Sequence, residues 1–150
     1  MIKLLRTTGT HPDFAYLVAE LDKALWALNG ELQALYGPHN KVPENITAII
    51  AYHDKNPVGC GCFKPFDPDT IEIKRMYVEP ALRGKGIAAS ILTELEAWGR
   101  ELEFSRSLLE TGTNRLEAIR LYKKAGYIVI DNYGPYVGLE TSVCMEKDLQ

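Results

Sequence analysis

Residues 70–102, TIEIKRMYVEPALRGKGIAASILTELEAWGREL, constrain the fold more than any other stretch. The run IEIKRMYV is rich in β-branched and aromatic residues, the composition of a strand. Pro80 helps to end it, because proline offers no N–H to a sheet ladder. From Arg83 to about Leu102 the apolar period becomes helical, with Ile87, Ile91, Leu95, Trp98 and Leu102 on one stripe. At the junction two glycines, Gly84 and Gly86, alternate with two cations, Arg83 and Lys85. A strand that turns through glycines directly into an amphipathic helix belongs to a sheet crossed by helices.

The flanking sequence extends that pattern. GTHPDFAYLVAELDKALWALNG reads as an amphipathic helix, with Phe14, Leu17, Val18, Leu21, Leu25 and Leu28 at three- and four-residue steps. Thr10 is expected to cap it, with Asp13 three residues on, and Gly30 to end it. ELQALYG reads as a second short helix. ITAIIAYHDKNPVGCGCFKPF reads as a hairpin turning at HDKNP, and DPDT as a further turn. SRSLLET is a strand. Asn114 and Glu117 have capping-box spacing before the helix RLEAIRLYKKAG, which Gly126 is placed to stop. YIVIDNYG and TSVCMEKDL close the chain as two strands around a tyrosine-rich loop. The expected order is helices, three strands, helix, strand, helix, two strands: a mixed α/β sheet with crossover helices.

Bulk properties exclude several function classes. The chain has 150 residues, the size of one domain with one core. No apolar run reaches membrane-spanning length, so no membrane association is expected. MIKLLRTTGTHPDF lacks the long apolar region and small-residue cleavage site of a signal peptide, which makes the cytoplasm the expected location. The formal net charge is −3, against a general nucleic-acid binder. Cys60, Cys62 and Cys144 are odd in number and lack the spacing of a disulfide framework. Cys60 and Cys62 share one face of a strand. A metal site there would need further ligands, and His53 is poorly placed to be one. Buried, reduced thiols and no metal are expected. His11, His39 and His53 fall at helix-start or loop positions and read as solvated.

The glycine turn is suited to an anion. The first N–H groups of a helix are unpaired and carry partial positive charge. Glycines without Cβ let an anion approach the main chain, and Arg83 and Lys85 add full charges. GKGIAA also matches G-x-G-x-x-A, and Glu110 ends a later strand where a ribose-binding acid could lie. Glu79 to Arg83, however, separate the strand from the first glycine, and the turn follows three strands instead of opening the sheet. The G-x-x-x-x-G-K-[ST] phosphate loop is absent.

Coenzyme A is the other guest, and here the sequence resembles the GNAT superfamily of N-acetyltransferases. Their signature [RQ]-x-x-G-x-[GA] is matched by Arg83, Gly84, Lys85, Gly86, Ile87 and Ala88, at a strand–loop–helix junction. NRLEAIRLYKKAGYIVI matches the looser second pattern N-x-x-A-x-x-L-Y-x-x-x-G-[FY], with one residue of slack at Asn114. The resemblance covers roughly residues 47 to 148. Ala88 stands where many relatives have glycine, and Glu103 where a glycine often follows the long helix. The resemblance implies an α/β (mixed α+β) fold. Its centre is a twisted mixed sheet of about six to seven strands with helices on both faces, in a single domain over residues 1–150.

It also implies a site. Backbone groups of Met76, Tyr77 and Val78 would meet the pantetheine arm and acetyl group of acetyl-CoA, and residues Arg83 to Ala88 the pyrophosphate. An amine attacks the thioester directly. An alkylammonium of pKa near 10.4 costs about 4.6 kcal/mol to deprotonate at pH 7, so the enzyme must supply a proton route. Glu72 is the first candidate base; an ion pair involving Lys74 or Arg75 is its purely structural alternative. Glu110, on the next strand, is the second candidate base. Tyr122 matches the family tyrosine that protonates the departing thiolate, although Leu116, Ile119 and Tyr122 would also make a packing face. Asn114 would bond the pantetheine or simply cap its helix.

The acceptor is less constrained. Trp26, Tyr36, Tyr133 and Tyr136 could enclose an apolar or cationic group, or pack their segments onto the sheet. Glu72, Glu110 and Asp131 could attract an ammonium. A small amine, amino acid or peptide is the expected partner, and dimers are common among similar proteins, so a homodimer is compatible. The alternatives are a coenzyme A-binding sensor or inactive relative without acetyl transfer, and a nucleotide-binding oxidoreductase.

Overall fold

The computed structural model describes residues 1–30 and 45–150. The segment ELQALYG and Tyr36, with His39, lie outside the described residues. Seven strands run in the hydrogen-bonded order β1-β2-β3-β4-β5-β7-β6. They are β1 (Ile2–Thr8), β2 (Thr47–His53), β3 (Asn56–Asp67), β4 (Thr70–Val78), β5 (Arg106–Gly112), β6 (Ile128–Ile130) and β7 (Ser142–Asp148). Among the described residues the three α-helices are α1 (Pro12–Asn29), α2 (Ile87–Glu101) and α3 (Leu116–Lys124). β4 and β5 are parallel, whereas β1–β2, β2–β3, β5–β7 and β6–β7 are antiparallel, so the sheet is mixed. The chain divides into two compact units, residues 1–64 with 74–95, and residues 65–73 with 96–150.

In the first unit, strands β2 and β3 form the expected hairpin through Asp54 and Lys55. Asp54 adopts φ +56°, a left-handed turn conformation that aspartate tolerates. The pleat sorts the hairpin's side chains by parity. Ala48, Ile50, Cys60 and Cys62 join Phe14, Leu17 and Leu21 of α1 in one buried cluster. The opposite parity carries Ile49 opposite Gly61 and Ala51 opposite Gly59, and α2 packs there. A methyl group on Gly61 would lie 2.5 Å from Met76 Sδ and 2.9 Å from Ile91 Cγ2. Gly61 is thus the residue whose missing side chain lets the helix settle on the strand.

The opening strand β1 was not expected from the sequence. It pairs antiparallel with β2 from Ile2–His53 to Thr8–Thr47. Its apolar residues include the adjacent Leu4 and Leu5, which break strict alternation, and Leu5 points outward at 41% exposure. The α1 cap also differs from expectation. His11 is the N-cap, its Nδ1 accepting from the Asp13 N–H at 3.1 Å, while Thr10 Oγ1 bonds Thr8 Oγ1. Gly30 ends α1 as expected, its N–H donating to Trp26.

In the second unit, β5 and β7 pair over their full length, from Arg106–Asp148 to Gly112–Ser142, and β6 adds three residues to the far side of β7. Leu108, Leu109, Met145 and Leu149 are buried. Three expectations change here. α2 ends at Glu101, so Leu102 falls beyond the helix and is half-exposed instead of completing the stripe. Asn114 and Glu117 form no capping box: the N-cap of α3 is Arg115, without a side-chain cap bond. Leu116, expected on the packing face, is exposed, while Tyr122 is buried. Gly126 follows α3, as expected, at φ +103°.

Candidate active site

The glycine turn lies wholly in the first unit. β4 ends at Val78, a 3-10 turn covers Pro80–Leu82, and α2 begins at Ile87 instead of Arg83. Gly84 and Gly86 adopt φ +79° and +82°, a left-handed conformation that disfavours side chains. A methyl group on either would meet no protein atom within 4 Å, so the approach to this main chain is open. The Ser90 N–H and Oγ both bond the Gly86 carbonyl, which starts the helical ladder there. The N–H groups of the first turn therefore have no intrahelical acceptor. An anion placed on them meets donors and the positive end of the helix dipole.

The turn is braced against the strand that precedes it. Arg83 Nε donates to the Val78 carbonyl at 2.8 Å, and the guanidinium lies 5.7 Å from the centre of the Tyr77 ring. One edge of the guanidinium is thus spent on holding strand end and turn together. Met76 is half-buried, and Tyr77 and Val78 are buried. Lys85 is exposed and Ala88 half-buried.

Just upstream, Arg75 adopts φ +58° within β4. A left-handed residue inside a strand interrupts the extended backbone and re-aims the side chains around it. The Arg75 side chain is 9% exposed and pairs through Nη1 with Asp22 of α1. The thiols of Cys60 and Cys62 donate to the carbonyls of Arg75 and Lys74, both at 3.3 Å. Burial pushes the Cys60 thiol far up, so it is no nucleophile. All three cysteines are buried and reduced, as expected.

The ionisable candidates cluster in the second unit. Glu72 is 4% exposed on β4 and accepts from the Tyr133 hydroxyl at 2.7 Å through Oε2. Of the two residues offered for the structural alternative, Lys74 and Arg75, Arg75 is paired with Asp22. Burial first, and then the Glu72 charge and hydrogen bond, push the Tyr133 phenol far up, so it remains a proton-bearing donor. The Tyr133 ring meets Phe66 edge-on at 5.3 Å and Tyr136 at 5.6 Å. The sequence pointed to Glu72 but not to its partner. Sixty-one positions separate the two, and the only sequence signal was the clustering of tyrosines in the last loop.

Glu110 is half-buried on β5 and accepts from Ser142 Oγ at 2.8 Å. Tyr122, 6% exposed on α3, is pushed up to about 12 by burial, with Arg115 lowering it and Glu110 raising it. Its ring packs edge-on against Tyr127 at 5.9 Å. A phenol so shifted stays protonated at neutral pH and can donate. Asn114 lies against the main chain of Gly112, where a methyl group would sit 2.7 Å from its Oδ1. Asp131 is exposed. Among the described residues, no group of three His, Cys, Asp or Glu side chains could hold a metal ion.

A strand, left-handed glycine turn and helix serve more than one kind of anion-binding fold, and the family match decides between them. The model of the acetyltransferase (GNAT) family matches residues 10–127. The chain belongs to the GNAT family of acetyltransferases. This GNAT chain is 33% identical over 150 residues to an IAA acetyltransferase of Azospirillum brasilense, covering 99% of this chain and 98% of that protein. A Klebsiella pneumoniae protein assigned as an acyl-CoA N-acyltransferase superposes with a TM-score of 0.84 and 30% identity, covering 100% of this chain and 99% of that one. The fold alone is shared with yncA of Salmonella typhimurium, whose structure holds acetyl-CoA, at a TM-score of 0.72 and 16% identity, covering 100% and 95%. The GNAT assignment makes the chain an acyltransferase and accounts for the seven-stranded mixed sheet with three helices.

Proposed function

We propose that this GNAT chain moves the acetyl group of acetyl-CoA directly to a primary amine of a small molecule, amino acid or peptide. The observation that carries the reading is the turn at 83–88. Its two left-handed glycines stand open beside a helix start, and a cation on each side of Gly84 strengthens the field. That arrangement fits the diphosphate of coenzyme A. Met76, Tyr77 and Val78 continue β4 beyond its last registered pair with β5, Glu72–Leu108. Their main chain is the reading's contact for the pantetheine arm, with Asn114 a further candidate donor.

When bound, acetyl-CoA supplies an activated thioester. The residues of the chain would then manage two protons. Glu72 takes one from the attacking amine as the C–N bond forms, with Glu110 as the second candidate for that role. Tyr122 gives its phenolic proton to the sulfur as the C–S bond breaks. Its upward shift supports this role, because it keeps the donor loaded. The reading takes residues 1–150 as one catalytic domain, supported by a family match at 10–127 that runs through both compact units.

A thiol-release assay with acetyl-CoA and a panel of amines, amino acids, peptides and aminoglycosides tests the proposal. Amine-dependent thiol release with acetylated product supports it. Tight binding of acetyl-CoA without turnover on any amine would leave a coenzyme sensor as the function.

A further inference from the structure

We propose that Tyr133 is a positioning residue for Glu72, holding one oxygen of the carboxylate so that the side chain presents a fixed geometry to the acceptor amine. The inference rests on the reading of Glu72 as the proton acceptor and adds to it the group that orients that acceptor.

The argument begins with burial. A carboxylate as enclosed as Glu72 must be hydrogen-bonded, and a charge-assisted O–H···O bond is among the strongest available. The Tyr133 hydroxyl supplies one at 2.7 Å. A glutamate has three side-chain torsions, whereas a base must hold its oxygen to within roughly 0.5 Å of the productive position. A strut on one oxygen removes most of that freedom.

The strut is itself held in place. Its ring is gripped edge-on by Phe66 at 81° and by Tyr136 at 88°, and Tyr136 is fully buried. The loop that carries Tyr133 is braced by the neighbouring Asn132. The two hydrogens of that side-chain amide are shared among the carbonyls of Tyr136, Leu139 and Ser142 at 3.1, 3.0 and 3.2 Å. One asparagine thus ties the loop to three carbonyls and steadies the segment that carries the hydroxyl. A tyrosine serving only as packing could have turned its hydroxyl to water at this half-buried position. This one turns it to a buried carboxylate. In the reaction the amine proton passes to Glu72, and Tyr133 keeps its own throughout.

The test uses the full chain, acetyl-CoA and the amine of the panel that gives the fastest thiol release. Tyr133→Phe keeps the ring and its two aromatic contacts and removes only the hydroxyl. Its expected effect is a loss in kcat of about tenfold or more, the size of a hydrogen bond to a charged group, with the KM for acetyl-CoA within twofold of wild type. In a Glu72→Gln background, Tyr133→Phe should lower kcat by less than twofold, because there is no base left to orient. If Glu72→Gln alone keeps wild-type turnover, the assignment of Glu72 as base fails. If Glu72→Gln is slow but Tyr133→Phe is as fast as wild type, or lowers kcat equally in both backgrounds, the positioning role fails while the base survives. Should Tyr133→Phe not fold, 3,5-difluorotyrosine at position 133 strengthens the donor without changing the ring packing. An altered kcat with an unchanged KM for acetyl-CoA supports the strut, and an unchanged kcat overturns it.

Discussion

The turn at residues 83–88 and the pair Glu72–Tyr133 meet charge by opposite means. In the turn, six consecutive residues would provide all the groups for the proposed anion, and much of the electrostatic work would fall to the main chain. At Glu72 the charge sits on a buried side chain, and its donor arrives from a loop 61 residues away. The first arrangement is open, with no atom within 4 Å of a methyl placed on either glycine. The second is enclosed by aromatic rings. An exposed, backbone-built cradle suits holding a diphosphate, which needs many weak donors. An enclosed carboxylate suits moving one proton, which needs a single group in a fixed place. On the proposed reading the comparison separates binding from turnover, and substitutions in the two regions should move different kinetic constants.

The sharpest probe is Glu72→Gln, which keeps the shape and still accepts from Tyr133. Turnover should fall by about 10²–10⁴-fold, the range for loss of a general base, with acetyl-CoA affinity measured by calorimetry unchanged. Loss of coenzyme affinity in this variant would blur the two regions into one. Next in size is Gly86→Val. The new Cβ meets no protein atom within 4 Å, but the residue must adopt a left-handed φ and its side chain would stand where the proposed anion approaches. We expect a loss of about 2–3 kcal/mol, or roughly 30- to 150-fold in the acetyl-CoA dissociation constant. A variant with normal coenzyme affinity would remove the diphosphate from the turn.

Tyr122→Phe should lower kcat by roughly 10- to 50-fold, below the usual yield of a general acid, because a thiolate with a pKa near 8.5 leaves without much help. Coenzyme affinity should stay constant, and equal turnover in both proteins would take Tyr122 out of the mechanism. The same residue makes a stability prediction. Its folded pKa of about 12 lies above the ordinary 10, so its contribution is complete below pH 10 and is lost as pH rises toward 12. Denaturant titrations between pH 9 and 12 should show a shallower alkaline decline in Tyr122→Phe than in wild type. The smallest effect is expected from Asp22→Ala, which leaves the Arg75 guanidinium, 9% exposed, without its carboxylate. Because Asp22 is itself 44% exposed, water replaces part of the interaction. A loss of about 1–2 kcal/mol, visible as a lower Tm, follows. An unchanged melting curve would show that the pair is fully solvent-screened.

How far each region could be read from sequence follows the same division. The turn, the β2–β3 hairpin, β5, the body of α1 and α3, and the stops at Gly30 and Gly126 are all encoded within windows shorter than a few turns of helix. They were legible because periodicity and turn chemistry are local. Cap assignments were legible only in type. His11 accepts from the Asp13 N–H while Thr10 bonds Thr8, and Arg115 takes the position that Asn114's spacing suggested. β1 escaped because Leu4 and Leu5 blur its alternation and its partner strand lies more than forty residues on. Tyr133 could be noticed as an aromatic in a loop, but its bond to Glu72 exists only once strands far apart in sequence are brought together. Arg75 shows the same limit: nothing in IEIKRMYV announces a left-handed residue, and its partner Asp22 sits on a helix that precedes it by fifty-three positions.

The thiols of Cys60 and Cys62, tied to the carbonyls of Lys74 and Arg75, have a practical consequence. Both are buried out of reach of an alkylating reagent, and burial pushes the Cys60 thiol far up, away from the thiolate that such reagents require. Labelling must therefore wait for the strands to part, and its rate reports how often they do so. The native chain carries its own breathing gauge beside the glycine turn, readable by mass spectrometry without any introduced probe.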